Sequence, residues 1–260
     1  MRPKRLADMV GQERLLSPES ALRQAVESGR IHSMILWGPP GCGKTTLALL
    51  VAQYAKARFV SISAVMSGLP EVRKVLAEAE QCFLRGEATV LFVDEVHRFN
   101  KVQQDAFLPF IEKGSIAFVG ATTENPSFEL NSALLSRCRV HVLDPVSVTA
   151  IVQALQAALT DKTHGIKADV GVTDLQLLSI AQAADGDVRR ALTLLEIACE
   201  VAASSDAAIS DNTLQQVLAD RTRRFDKGGD QLYDQISALH KSVRNSNPDA
   251  ALYWFARMID

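Results

Sequence analysis

Cysteine is scarce and unpaired in this 260-residue chain: Cys42, Cys82, Cys138 and Cys199 are widely separated and form no C-x-x-C pair. Neither a zinc site nor a disulfide framework is indicated, and a reduced, cytoplasmic setting fits this cysteine usage. The chain also lacks an apolar run long enough to cross a bilayer. Its N-terminus, where Arg2, Lys4 and Arg5 precede a short mixed segment, lacks the layout of a secretory leader. A membrane is therefore not an expected partner. Positive charge is not in excess either, with 28 Lys and Arg against 30 Asp and Glu for a net charge of −2. Any nucleic-acid contact has to come from a local patch rather than a global field. Internal repeats and low-complexity tracts are absent. What the chain has is length and 47% hydrophobic content, enough to bury a sizeable core in one large domain or two smaller ones.

The strongest signal is Gly38-Pro39-Pro40-Gly41-Cys42-Gly43-Lys44-Thr45-Thr46, which fits the phosphate-binding pattern G-x-x-x-x-G-K-[ST]. Glycines at 38, 41 and 43 let the backbone adopt positive φ and bring N–H groups close to an anion. The helix expected from Lys44 aims its N-terminal dipole at the same place. Lys44 supplies charge to β- and γ-phosphates, and the Thr45 hydroxyl is placed to ligate Mg²⁺. Ser33 to Trp37 reads as the short buried strand that must precede such a loop. Cys42 stands near a helix N-terminus, where a thiolate is favoured. A small side chain tolerated in the loop is the better reading.

Further along, the expected elements alternate. Ser17-Pro18 opens a helix that Gly29 closes, Lys44–Lys56 is a helix, and Arg58–Ile62 is a strand. Apolar residues recur at helical spacing from Leu69 to Arg85. Thr89 to Glu95 is a continuous apolar strand ending in two carboxylates, as in a parallel sheet covered on both faces. Asp94 suits Mg²⁺ binding and Glu95 the orienting of an attacking water. A helix over Asn100–Glu112, a strand over Ile116–Thr123, a short helix over Leu130–Leu135 and a strand over Arg139–Leu143 follow. After Pro145 only helices are expected, near 148–160, 175–184, 188–203 and 212–218. The pattern predicts an α/β three-layer sandwich with a central parallel sheet over 1–145 and a small all-α lid over 146–220. Residues 221–260 hold a basic linker, Arg221-Thr222-Arg223-Arg224, and the start of a further helical region. The amphipathic helix from Ala250 to Ile259 carries no closing cap, so the chain is expected to be part of a longer protein.

With both nucleotide motifs placed, the remainder resembles the AAA+ family. Thr123 resembles sensor 1. Ser136-Arg137-Cys138 resembles the Ser-Arg-Cys motif of clamp-loader subunits, whose arginine reaches a neighbouring subunit's nucleotide. Gly186-Asp187-Val188-Arg189-Arg190-Ala191-Leu192 resembles sensor 2, and Arg2-Pro3 with Met9-Val10-Gly11-Gln12 is similar to the segment that closes over adenine. The resemblance implies catalytic roles for Lys44, Glu95, Thr123, Arg137 and Arg189, and nucleotide contacts at Val10 and Gly11. Arg189 and Arg190 point about 100° apart on a helix, so only one faces the γ-phosphate. The family pattern selects Arg189, whereas spacing alone leaves the choice open.

More specifically, residues 92–101, 103–109, 120–128 and 236–242 resemble the replication-associated recombination protein A family, relatives of the Werner-helicase-interacting ATPase. That resemblance implies an ATP- and Mg²⁺-dependent, DNA-stimulated ATPase at stalled forks, gaps and strand ends. It further implies a cytoplasmic, nucleoid-associated homotetramer working with single-stranded DNA-binding protein, assembled through a longer C-terminal helical region. The competing reading is an ATP-switched scaffold, or clamp-loader-like subunit, that organises replication proteins without remodelling DNA. Arg73, Lys74, Arg98 and Lys101 are candidate phosphate contacts in a central channel, with a solvated charged face as the alternative. His97 completes an apparent helicase box, Asp94-Glu95-Val96-His97, but a structural role is favoured because no other helicase motif appears. Phe107, Phe110 and Phe118 read as core rather than base-stacking platforms.

Overall fold

The computed structural model describes residues 2–161, 165–166, 170–203, 209–219, 230–245 and 247–259. The basic run 221–224 lies outside the described residues. Five strands, β1 (Met34–Trp37), β2 (Arg58–Ser63), β3 (Thr89–Asp94), β4 (Ala117–Thr122) and β5 (Arg139–Val142), form one sheet in the order β2-β3-β4-β1-β5. Every pairing is parallel.

Period-2 alternation divides the strand side chains between two faces. Met34, Leu36, Val90, Phe92, Val119 and Ala121 enter one apolar cluster. Ile35, Leu91, Val93 and Phe118 enter the other. Helix α1 (Ala21–Glu27) and helix α2 (Lys44–Tyr54) cover the first face with Leu22, Val26, Leu47, Leu50 and Val51. Helix α3 (Leu69–Leu84), α4 (Lys101–Asp105), α5 (Leu108–Lys113), α6 (Pro126–Glu129) and α7 (Ser132–Leu135) lie along the stretches that supply the second cluster, through Val72, Leu76, Phe107 and Leu134. Phe107 and Phe118 are fully buried, and Phe110 packs against them from a partly buried position, as core aromatics do.

Local chemistry moved three expected boundaries. Ser17 accepts the Ser20 N–H at 2.9 Å in a turn, so the first helix starts at Ala21 rather than at Ser17-Pro18. The helix expected over 100–112 is two. The Asn100–Gln103 capping box opens α4, and Pro109, which has no N–H to give to a carbonyl one turn back, instead sits in the first turn of α5. Asn125, whose side chain accepts the Ser127 N–H, starts the unexpected α6 with Pro126 at its first position. The short helix expected from Leu130 begins later, at Ser132, under an Asn131 cap.

After β5 the described elements are helical: α8 (Val148–Thr160), α9 (Asp174–Ala184), α10 (Val188–Ala203), α11 (Asp211–Ala219), α12 (Asp230–Arg244) and α13 (Pro248–Ile259). Ile151, Leu155, Ile180 and Leu195 join the same apolar cluster that α2 occupies, so α8 to α10 continue the core on that side of the sheet. The Val146 N–H donates to the Gly186 carbonyl at 3.2 Å. That bond fixes the turn before α10 against the end of the α/β layer.

Candidate nucleotide site

The parallel register aligns the C-terminal ends of the central strands. Trp37 pairs with Thr122 and with Val142, and Val93 pairs with Gly120. The loop after β1, the carboxylates after β3 and the hydroxyls after β4 therefore meet at one edge, where α/β sheets bind ligands.

Residues 38–43 wrap from β1 into α2. Gly41 at φ +72° and Gly43 at φ +103° occupy left-handed backbone. Gly38 does not, and its need for a missing side chain is steric: a Cβ there would lie 2.3 Å from the Leu143 carbonyl oxygen. The Lys44 ammonium donates to the carbonyls of Gly38 at 2.6 Å and Pro39 at 2.9 Å. Burial lowers the Lys44 pKa, opposed by the nearby negative charge of Glu95 and Asp94. Cys42 is 2% exposed and burial raises its pKa, so its thiol packs as a small apolar group rather than acting as a thiolate.

A cavity of about 370 Å³ opens over this loop. Its floor is residues 40–46. Asp94, Glu95 and Thr123 form one wall, Arg2, Pro3, Met9 and Val10 a second, and Val146, Val188, Arg189 and Leu192 a third. Positions 188, 189 and 192 share one face of α10, so Arg189 lines the cavity. Arg190 does not; its N–H donates to the Asp187 side chain at 3.0 Å.

Gly41 is also where the lid touches the loop, since a Cβ there would lie 1.8 Å from Asp187 Oδ1. Gly86 provides a control, because it has φ +81° and open space around a Cβ. Gly86→Ala is expected to cost only the left-handed backbone, about 1–2 kcal/mol. Gly41→Ala should lower the melting temperature further and weaken nucleotide binding. Equal melting temperatures for the two variants, with nucleotide affinity intact, would show that the loop–lid contact carries neither.

Three of the residues expected at the site support it from behind. Gly38 and Pro39 offer their carbonyls to Lys44. Gly11, at φ +79°, packs on Val146, where a Cβ would sit 2.5 Å from Cγ1. Arg137 stands apart from the cavity. It precedes β5, at the opposite end of the sheet, and lines a separate groove of about 510 Å³ with His32, Ser33 and Thr89. There its Nε donates to Glu112 at 2.7 Å and its Nη1 to the Ala133 carbonyl at 2.8 Å. Arg73, Lys74, Arg98 and Lys101 are all exposed.

Two side chains named in the sequence have partners that it does not reveal. Gln12, 4% exposed, donates to the Cys42 carbonyl at 3.3 Å and the Asp144 carbonyl at 2.8 Å, and accepts the Asp144 N–H at 3.2 Å. It ties the N-terminal segment to the phosphate loop and to the strand exit. His97 lies between Glu95 and Thr122. Among the described residues, no group of three or more His, Cys, Asp or Glu is arranged to hold a metal ion, and no helix is long and apolar enough to cross a membrane.

The model of the ATPase family associated with various cellular activities (AAA) matches residues 34–146, and that of the AAA C-terminal domain matches residues 166–244. The replication-associated recombination protein A of Escherichia coli strain K12 is 54% identical over 263 residues, taking in 100% of this chain and 59% of that protein. The same protein of Coxiella burnetii is 52% identical with the same coverage. This chain belongs to the replication-associated recombination protein A family of AAA+ ATPases. It spans 59% of the length of those bacterial relatives of the family. The ATPase WRNIP1 of Dictyostelium discoideum, similar to this family member at 38% identity, covers 100% of the chain with 32% of its own length. The family's α/β fold is similar to the RuvB Holliday junction branch migration motor of Thermotoga maritima, at TM-score 0.68 and 25% identity over 94% of this chain and 80% of that one.

Proposed function

We propose that this chain is the ATP-hydrolysing part of a DNA-dependent AAA+ ATPase that acts in replication and recombination, at gaps, strand ends or stalled forks. The observation that carries the reading is the convergence of the phosphate loop, Asp94, Glu95, Thr123 and Arg189 on one cavity of about 370 Å³.

In this reading residues 1–145 bind ATP and residues 146–220 close over it. Backbone N–H groups of residues 40–46 cradle the phosphates at the N-terminus of α2. Lys44 leaves the Gly38 and Pro39 carbonyls for the β- and γ-phosphates. Val10, with the segment that Gln12 tethers, covers the base. The Thr45 hydroxyl and the Asp94 carboxylate, hard oxygen donors on the same cavity, fit Mg²⁺, which takes one or two protein ligands and completes its shell with water and phosphate. Bound there, it would neutralise charge on the phosphate oxygens. Glu95 orients the attacking water, Thr123 holds the γ-phosphate, and Arg189 adds positive charge from the lid. Arg137, at the far end of the sheet, serves a neighbouring subunit's site, which makes hydrolysis depend on a homo-oligomer. A tetramer, cooperation with single-stranded DNA-binding protein and a cytoplasmic, nucleoid-associated location complete the proposal, supported by the similarity to bacterial replication-associated recombination proteins.

The test is the ATPase rate of this chain with no DNA and with single-stranded, duplex and junction DNA. Stimulation by DNA is expected. A rate indifferent to all three, with ATP still bound, would replace the remodelling reading with that of a nucleotide-switched scaffold. Lys101, exposed at the start of α4 just beyond the Glu95 turn, is the proposed phosphate contact to try first. Lys101→Ala is expected to weaken binding to all sequences and to reduce the slope of log affinity against log salt by about 0.7–0.9. An unchanged slope removes Lys101 from the interface.

A further inference from the structure

Glu95 closes β3 in an unusual backbone conformation. Its φ of 53° and ψ of 45° place a non-glycine residue in the left-handed region, a strained state found where surrounding structure holds a functional side chain in place. The turn that follows, Val96–Arg98, is anchored by Val96, which is fully buried. It returns His97 against Glu95. His97 Nε2 lies 3.4 Å from Glu95 Oε2, and the imidazole is 8% exposed. On its other side Nδ1 lies 2.8 Å from Thr122 Oγ1. Thr122 ends β4, is fully buried, and precedes Thr123 on the cavity wall.

We infer that His97 is a positioning residue for Glu95, held in one tautomer by Thr122, and that it links the end of β4 to the orientation of the carboxylate. This inference rests on the reading of Glu95 as the group that orients the attacking water.

The hydrogen-bond inventory supports one arrangement. Thr122 Oγ1 accepts the Glu124 N–H at 3.0 Å, and its single proton has two acceptors in reach: His97 Nδ1 at 2.8 Å and the Glu124 carbonyl at 3.2 Å. In the inferred arrangement the shorter contact takes the proton. A neutral imidazole that accepts at Nδ1 carries its own proton on Nε2, the nitrogen that lies 3.4 Å from Glu95 Oε2. One carboxylate oxygen then faces an N–H that a small movement brings into hydrogen-bond range, and the other is left for water. In the opposite tautomer an Nε2 lone pair would face the carboxylate oxygen and repel it. A threonine hydroxyl at the end of β4 thereby sets which way Glu95 is held, and a shift of Thr123 against the γ-phosphate displaces the neighbouring hydroxyl. His97 is thus the physical connection between the strand that meets the phosphate and the carboxylate that meets the water.

The test compares His97→Ala, Thr122→Val and Thr122→Ser, each alone and combined with Glu95→Gln. Affinity is read with a fluorescent ATP analogue and turnover as kcat. His97→Ala and Thr122→Val are expected to lower kcat about tenfold or more, a share of what a general base contributes, with affinity changed less than about twofold on the scale of one lost weak contact. Thr122→Ser, which keeps the hydroxyl, should restore most of the rate. In the Glu95→Gln background neither His97→Ala nor Thr122→Val should slow the residual rate further, because a residue that acts through Glu95 has nothing left to position. Thr122→Val keeps the shape of the side chain and carries the test if His97→Ala folds poorly. Undiminished kcat, affinity loss that parallels the rate loss, or an equal slowing in the Glu95→Gln background each overturns the inference. Normal turnover by Glu95→Gln alone instead overturns the underlying role of Glu95.

Discussion

Glu95→Gln is expected to bind ATP as tightly as the parent chain and to hydrolyse it about 10²–10⁴ times more slowly, the contribution of one positioned general base. The substitution exchanges one carboxylate oxygen for an amide of the same size, so the cavity keeps its shape. What it loses is the anionic acceptor that would draw a proton from water. Glu95 lines the cavity with Asp94, Thr123 and Arg189 around it, and its backbone is already committed to a left-handed conformation. The amide therefore has no easier place to go, and the variant should accumulate as a nucleotide-bound state. A filter or fluorescence assay for retained ATP checks the binding half, and steady-state phosphate release checks the other. Near-normal phosphate release would move the water-orienting role elsewhere on the cavity wall.

Much of the frame on which that prediction stands is legible in the residues. Thr89 to Asp94 is recognisable as a covered parallel strand because a strand buried on both faces needs an unbroken apolar run, and Val90 to Val93 are 1% exposed or less. The helices over 148–160 and 188–203 begin where expected, under the side chains of Ser147 and Asp187 and in phase with their apolar periodicity. What escaped was chemistry between residues far apart in the chain. Gln12 finds its partner at Asp144, 132 positions on, and His97 finds Thr122, 25 positions on. Neither carries a local pattern, because an ordinary side chain becomes a tether only when the sheet order brings its partner to it. The choice between Arg189 and Arg190 is of the same kind. Adjacent helical positions differ by rotation alone, and the packing of α10 decides which of them meets the cavity.

Arg137→Ala is expected to retain ATP binding and to lose hydrolysis by about 10³–10⁵, the worth of an arginine supplied in trans. In this chain Arg137 is held within its own subunit, by Glu112 at 2.5 Å and by the Ala133 carbonyl. That arrangement is the main argument for an ordinary salt-bridged arginine. Its strength decides little, because the Arg137 and Glu112 side chains are 36% and 53% exposed. An exposed ion pair contributes about 0–1 kcal/mol, less than a desolvated phosphate offers a guanidinium fork. The pair can therefore store Arg137 without preventing it from turning outward. Glu112→Ala separates the two readings: under trans catalysis it should leave turnover within a few fold of normal, because it releases the arginine rather than removing it. Mixing Arg137→Ala subunits, which keep a complete phosphate loop, with Glu95→Gln subunits, which keep the arginine, should restore part of the rate that each lacks alone. Full activity of Arg137→Ala alone, or no recovery on mixing subunits shown to associate, would confine Arg137 to its ion pair with Glu112. Recovery would make each cavity one half of a shared site, completed by the far end of a neighbour's sheet.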